Sequence, residues 1–359
     1  MPKKTLFIQL TPEYPPKVGG VSTYAELIKK EFDSCSILNK VISFSGDNIK
    51  NDQHVFYTGR NPEAFEKSLM TLCSDLIEFN VVVVLHYVSY GYHPNGIPFW
   101  LLKIIRYIKA DANLSLITIF HEISASGPIW TKAGLTAPLQ RYIARTIATH
   151  SDRMITTTNW YRKVLEAWFP VQSPLKVIHQ PVFSNMGEPN HELNFKHRKR
   201  HIVVFGGKNL RNDLYKTYLP EILKLKEDYQ IESIIDIGSP LEEAFYLKTG
   251  IQSYGVLPEE KIADILATSL LGLIHYDLRT IDKSGVFAAY QAFGLPTYIF
   301  SDTHLEFIPT KTIYYKDNLV LSMDQLSILS LQFRADYYKR SIQSLMNELR
   351  SDFSKVHHI

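Results

Sequence analysis

Apolar residues fall into two kinds of run along this chain, and the two kinds alternate. Short blocks rich in Val, Ile, Leu and Phe stand at residues 5–10, 41–45, 55–57, 81–85, 115–120, 153–157 and 177–181, and again at 201–205, 232–237, 251–255, 271–275 and 297–300. The blocks at 81–85 and 115–120 are continuously apolar or β-branched, as expected of parallel strands buried on both faces. Between the blocks lie stretches with the spacing of one-sided helices, at 24–32, 62–79, 96–110, 138–149, 215–227, 241–248 and 258–268. Ser22 or Thr23 is expected to cap the first of these, and Pro138 to sit in the first turn of another. Strand and helix alternating over such a length predict parallel sheets wrapped by helices.

The alternation breaks once. Residues 184–200 are polar, contain Gly and Pro, and end in the basic cluster Lys196-His197-Arg198-Lys199-Arg200, so they read as an interdomain linker. The expected parts are then a domain over 1–183, a domain over 201–332, and a charged amphipathic helix over 333–359 that can pack back on either. A chain of 359 residues is long for one core. The fold class predicted is α/β, with two Rossmann-like domains facing across a cleft.

Composition narrows the partners. Hydrophobic content of 45% and charged content of 21% are those of a soluble globular protein, and no apolar run is long enough to span a bilayer. Met1-Pro2-Lys3-Lys4 is basic, but the apolar run behind it stops at Thr11-Pro12, so no signal peptide is expected. A net charge of +3 is small for this length, so no nucleic acid is expected as a partner. Cys35 and Cys73, without metal-type spacing, suit a reducing compartment, and the expected location is cytoplasmic. The cluster at 196–200 reads as a solvated linker face in preference to a membrane patch, because one short cluster anchors weakly. Peripheral contact with the inner face of a membrane stays open.

Candidate chemistry concentrates where strand blocks end. Residues 282–296 run from Asp282-Lys283-Ser284-Gly285 through an apolar helical segment to Gly294-Leu295-Pro296. A Ser-Gly at a helix start aims backbone N–H groups and the positive end of the helix dipole outward, which with Lys283 suits a phosphate or diphosphate. The same residues also make a plain helix with a good N-terminus. Gly19-Gly20 follows the first block and lets the backbone approach a ligand, although it is neither a dinucleotide fingerprint nor a P-loop. Gly206-Gly207-Lys208 ends the first block of the second half. His121 stands at a strand end, where open α/β sheets bind ligands, and suits a hydrogen bond to a ligand or a proton transfer. His86, Tyr87 and Tyr90 lie on a loop after the most apolar block and suit stacking and hydrogen bonding to a ligand, or packing against a neighbouring helix. Asp236 lies in a strand without an evident partner, no Asp-x-Asp follows a strand, and His197 with His201 makes no credible zinc site. His357-His358 reads as a disordered terminal pair. No metal is expected.

Six motifs in order carry a resemblance. They are Pro-x-x-Gly-Gly-Val at 16–21, Phe120-His121-Glu122, Thr156-Thr157-Thr158-Asn159-Trp160-Tyr161, Gly206-Gly207-Lys208, Tyr254-Gly255-x-Leu257-Pro258-Glu259-Glu260-Lys261-Ile262, and Lys283-Ser284-Gly285 with Gly294-Leu295-Pro296. Together they resemble glycosyltransferases of the GT-B fold, closest to the group 1 retaining, nucleotide-sugar-dependent enzymes that build bacterial surface polysaccharides. The resemblance implies a hexosyltransferase without a cofactor, taking a UDP- or GDP-hexose donor and a saccharide or lipid-linked acceptor. It implies that Gly19 and Gly20 lie against the donor. Lys208 and Arg211 would neutralise the diphosphate, with Gly207 beside them, and Lys283, Ser284 and Gly285 would hold the same phosphates. The loop from Tyr254 to Leu257 would cover the base, His121 would contact a sugar hydroxyl, and His86, Tyr87 and Tyr90 would meet the acceptor sugar. The family's paired Glu residues fall on Ile281 and Ala289, and Asp282 is the nearest substitute. That departure keeps a non-catalytic subunit and a sugar-nucleotide epimerase open as alternatives.

Overall fold

The structure, a computed structural model, describes residues 4–46, 49, 52–74, 78–125, 130–170, 177–189, 194–302, 313–314 and 320–355. The pair His357-His358 lies outside them. The chain divides into two compact units, one running to Pro181 and resuming at Ile342, the other spanning Val182–Ser341.

Unit 1 contains β1 (Lys4–Thr11), α1 (Gly20–Ser34), β2 (Asn39–Ser43), β3 (Val55–Tyr57), α2 (Pro62–Ser74), β4 (Phe79–Tyr87) and α3 (Ser89–Tyr92). It continues with α4 (Leu101–Ala110), β5 (Leu114–Phe120), α5 (Lys132–His150), β6 (Arg153–Thr156), α6 (Asn159–Glu166) and β7 (Val177–His179). Its described strands form one parallel sheet in the order β3-β2-β1-β4-β5-β6-β7. Ile8, Val83, Leu85 and Leu116, alternating out of the central strands, are fully buried. Unit 2 contains β8 (Lys199–Phe205), α7 (Lys208–Asp228), β9 (Ser233–Ile237), α8 (Glu243–Thr249), β10 (Gln252–Gly255), α9 (Glu259–Thr268) and β11 (Ser269–His275). It ends with α10 (Gly285–Ala292), β12 (Thr297–Phe300), β13 (Ile313–Tyr314) and α11 (Met323–Tyr338), and its parallel sheet runs β10-β9-β8-β11-β12-β13. The last helix, α12 (Ile342–Lys355), belongs to unit 1, where it packs on α1 and buries Leu345, Met346 and Leu349.

The strands from β1 to β12 match the apolar blocks, and β13 has no counterpart among them; several helix starts do not match. Helix α1 begins at Gly20, so Ser22 is inside its first turn, donating its hydroxyl to the Lys17 carbonyl at 2.6 Å instead of capping. Thr131 caps α5 by accepting from the Gly134 N–H at 3.1 Å, which puts Pro138 in the helix interior and not in the first turn. Helix α7 begins at Lys208, well ahead of the expected 215, and leaves helical geometry at Tyr218, just before Pro220. Proline lacks the N–H and crowds the preceding turn, so the helix bends there. The tail is two helices and not one, because Ser322 and Gln325 form a reciprocal capping box that starts α11 ten residues before the expected 333.

The stretch 184–200 is no free linker. The Ser184 N–H donates to the Tyr337 hydroxyl at 3.1 Å, and Phe195 is buried. Arg198, from the supposed solvated cluster, is 9% exposed. Its Nη1 donates to the Leu266 and Ser269 carbonyls at 3.2 and 2.7 Å, and its Nη2 to the Phe293 carbonyl at 2.6 Å. These acceptors are the last carbonyls of α9 and α10, which no helical N–H can reach. One planar guanidinium thus closes two helix ends. Arg198→Met should lower stability by about 3 kcal/mol, since it strands buried carbonyls. Lys196→Met, at an exposed position, should change it by less than about 0.5 kcal/mol. Chemical denaturation of both variants checks the contrast.

Candidate functional site

Loops leaving the carboxyl ends of two neighbouring parallel strands diverge where the strand order reverses, and the crevice between them is where such sheets bind ligands. That point lies between β8 and β11 in unit 2, and between β1 and β4 in unit 1.

In unit 2, β8 runs into Gly206 at φ 140° and Gly207, the N-cap of α7. No side chain caps this helix, so its first N–H groups and the exposed Lys208 stand at the strand ends. After β11 the chain makes a turn at Ile281–Lys283, and the Ser284 hydroxyl accepts from the Phe287 N–H at 3.1 Å to start α10 at Gly285. The two helix starts line one recess with Leu210, Arg211, His275 and Val286. Room beneath comes from Gly272 in β11, where a β-carbon would press within 2.9 Å of the Tyr290 ring. That ring reaches through to accept from the Phe205 N–H at 3.0 Å.

Arg211 holds this recess in shape. It is 2% exposed, and its Nε donates to the Gly206 carbonyl at 2.9 Å, its Nη2 to the Ser239 carbonyl at 2.5 Å, and its Nη1 to Asp236. Asp236, fully buried, also accepts from the hydroxyls of Tyr215 and Tyr246, each at 2.9 Å. The buried carboxylate and the loss of hydration push the Tyr215 hydroxyl well above its ordinary pKa, so it stays a donor. Gly238, at φ 140°, is needed where the two loops meet, since a β-carbon there would sit 2.6 Å from the Gly206 carbonyl.

This corrects two expectations. Arg211 directs its guanidinium into the protein and shapes the turn that carries Lys208, where a diphosphate contact was expected. Asp236 has three side-chain partners, brought from helices that sequence spacing cannot connect to it. Asp282, the expected substitute carboxylate, is also turned inward: it is 8% exposed, 4.0 Å from Arg340, and its carbonyl accepts from the Val182 N–H at 3.0 Å. Lys283 is half-buried at the end of the turn before Ser284. Tyr254 is exposed on the edge strand β10 and Leu257 is half-buried just beyond it. His275, which the sequence reading passed over, lines the recess with Nε2 3.4 Å from the Asp302 carboxylate. The signal was available: it is the last residue of an apolar block, as His121 nearly is.

In unit 1 the crevice is built on histidines. Gln9 and His86 are fully buried and His121 is 6% exposed. His86 Nε2 lies 2.9 Å from Gln9 Oε1, and His86 Nδ1 lies 3.2 Å from His121 Nε2. The rings stack at 14° with Tyr24 edge-on to His121, their centroids 5.0 Å apart. With Gln9 accepting, His86 donates from Nε2, accepts at Nδ1, and so fixes the proton of His121 on Nε2. Burial drives the His86 pKa down to about 3. His86 and Tyr87 were expected on an open loop; they are instead the last residues of β4, with no exposed surface. Only Tyr90 of that group, 40% exposed on α3, meets solvent. Gly19 is the N-cap of α1, and the Glu13 carboxylate lies against it, held by Lys17 at 3.0 Å. Gly20 opens the helix beside open space. A side-chain anion thus sits at the positive end of α1. Among the described residues, no group of His, Cys, Asp and Glu is placed to hold a metal ion, and no helix is long and apolar enough to cross a membrane.

The fold matches solved structures over its whole length. α,α-Trehalose 6-phosphate synthase from Burkholderia multivorans superposes with a TM-score of 0.60 at 10% identity, covering 99% of this chain and 100% of that one. The pneumococcal O-GlcNAc transferase GtfA, solved with UDP and GlcNAc, gives 0.59 at 12% identity, covering 99% and 100%. An α-glucosyltransferase solved with UDP-glucose and DNA containing an abasic site gives 0.55 at 9% identity, covering 97% and 98%. No family model and no curated protein matches the sequence. At such identities the likeness establishes the fold, two Rossmann-like domains of the GT-B type.

The buried imidazole has a measurable signature. His86 stays neutral in the folded protein while the unfolded chain takes up a proton below about pH 6.5. The stability it permits is therefore whole above that pH and is lost as pH falls toward about 3, at up to about 1.4 kcal/mol per pH unit. Denaturation of wild type and His86→Asn between these limits should show the shallower pH dependence in the variant.

Proposed function

We propose that this chain is a glycosyltransferase that moves a hexose from a nucleoside-diphosphate sugar to a saccharide or lipid-linked acceptor. The observation that carries the reading is the recess of unit 2, where the starts of α7 and α10 converge, with Lys208 opening α7 and Lys283 directly before the N-cap of α10. Breaking the bond between the anomeric carbon and the diphosphate leaves negative charge on the departing nucleotide. Fixed backbone N–H groups, two helix dipoles and two ammonium groups stabilise that charge without a divalent ion. The acceptor hydroxyl oxygen bonds the anomeric carbon as the bond to the diphosphate breaks, and its proton passes to the departing diphosphate oxygen. Unit 1 is assigned the sugar and acceptor, with His121 contacting a sugar hydroxyl and Gly19, Gly20 and Tyr90 near it. The Tyr254–Leu257 loop is assigned to the base. Retention of anomeric configuration and a place in surface polysaccharide or glycoconjugate synthesis follow from the family resemblance. The likeness to transferases solved with UDP supports a nucleotide donor. A similar fold solved with DNA removes fold as a ground for setting a nucleic-acid acceptor aside, so that expectation rests on net charge alone.

A second reading, a non-catalytic subunit supporting a partner transferase, is favoured by one observation. Ile281 and Ala289, at the positions of the family's paired carboxylates, are buried and apolar, and the adjacent Asp282 is turned inward.

The test is a panel of nucleotide sugars examined by calorimetry and by mass spectrometry for transfer and slow donor hydrolysis. One donor should bind and turn over with EDTA present. Lys208→Ala and Lys283→Ala should each lower kcat/KM about a hundredfold, the scale of losing one preorganised charge-stabilising group. Failure of the wild type to bind any donor would sink the transferase reading and leave the subunit reading standing.

A further inference from the structure

Helix α5 is buried on one side only. Ala137, Gln140, Ile143, Ala144, Ile147 and Ala148 face the sheet, while Leu135, Leu139 and Tyr142 form a stripe on the outer side, 70%, 44% and 59% exposed. Trp130, just ahead of the helix, is 80% exposed, and Phe99, 48% exposed, extends the stripe with its ring 6.5 Å from that of Tyr142. Large aromatic and aliphatic side chains gathered on one face are not left to water without a reason.

Charge says what covers them. Residues 123–151 contain no Asp or Glu, and Lys132, Arg141 and Arg145 stand exposed around the stripe. Helix α11 gives the contrast: it also exposes Ile328 and Leu331, but it carries Asp324 and Asp336. We propose that the outer face of α5, with Trp130 and Phe99, is a docking surface for an anionic lipid bilayer. The helix lies in the interface, its apolar stripe among the acyl chains and its cations at the headgroups. A second copy of the chain would bring like charges together across the contact. A nucleic acid would satisfy the cations and leave the apolar stripe unmet.

The docked helix is coupled to the strand ends. Gln140 Oε1 accepts from the Ala125 N–H at 2.7 Å, in the loop that follows His121, and its Nε2 donates to the Asn95 carbonyl at 3.3 Å, in the loop that follows α3, the short helix next after β4. Binding through α5 therefore presents the β4 and β5 ends of unit 1 to the membrane surface. Docking requires no donor chemistry, so it is measured apart from transfer.

The experiment is flotation of the full chain with vesicles of phosphatidylcholine, with and without phosphatidylglycerol. Binding should require the anionic lipid, weaken at high salt, and fall at least about tenfold in Leu135→Glu/Leu139→Glu. Arg141→Glu/Arg145→Glu should lose binding to a similar extent, with circular dichroism and melting temperature of both variants unchanged. Trp130 emission, isolated by difference against Trp130→Phe, should shift to the blue on binding. Equal binding of wild type and variants, or no binding to anionic vesicles, overturns the proposal. So does self-association in solution, or DNA binding, that the same substitutions abolish.

Discussion

A guanidinium removed from water must find an acceptor for nearly every N–H, and in unit 2 Arg211 finds them at the two places that shape the recess. It joins the Gly206 carbonyl after β8 to the Ser239 carbonyl after β9, and Asp236 beneath supplies the compensating charge. Removing either partner would leave an uncompensated buried ion, one of the more damaging changes a core can suffer. Everything at the head of α7 follows from this pair: the Gly206–Gly207 turn, the direction of the first N–H groups, and the placement of Lys208 at the helix start. Tyr215 and Tyr246 complete the shell around the carboxylate, tying α7 and α8 to the same point.

Unit 1 reaches a comparable result by another route. A glutamine and two histidines, with a tyrosine edge against them, make a polar line through an apolar sheet. Its members come from β1, β4, the turn after β5, and α1. A buried polar group must be paired to be tolerated, so this line specifies which strands neighbour which as much as any apolar contact does.

The sheets were legible in the sequence because a strand buried on both faces leaves a nearly continuous run of apolar or β-branched residues, as at 81–85 and 116–120. Helix starts were not, because Gly207 and Gly19 cap through backbone geometry and carry no polar side chain to announce them. Lys208 was expected in a loop and opens α7 instead, whereas Ser284 and Gly285, with Lys283 just ahead of them, were placed correctly by local cues. Arg211, Asp236, Asp282, His86 and Tyr87 were not, since whether a polar residue turns inward is decided by partners many residues away. Arg198 makes the same point: within a basic cluster, only the fold decides which charge is buried.

Because α12 lies on α1, unit 1 is assembled from the two ends of the described chain, while unit 2 is continuous. During synthesis, then, the first domain to be made is the last to be finished. Its sheet emerges early, but the surface of α1 that α12 covers stays bare until all of unit 2 has left the ribosome. The order of translation leaves that face of α1 uncovered until the fourteen-residue α12 closes unit 1.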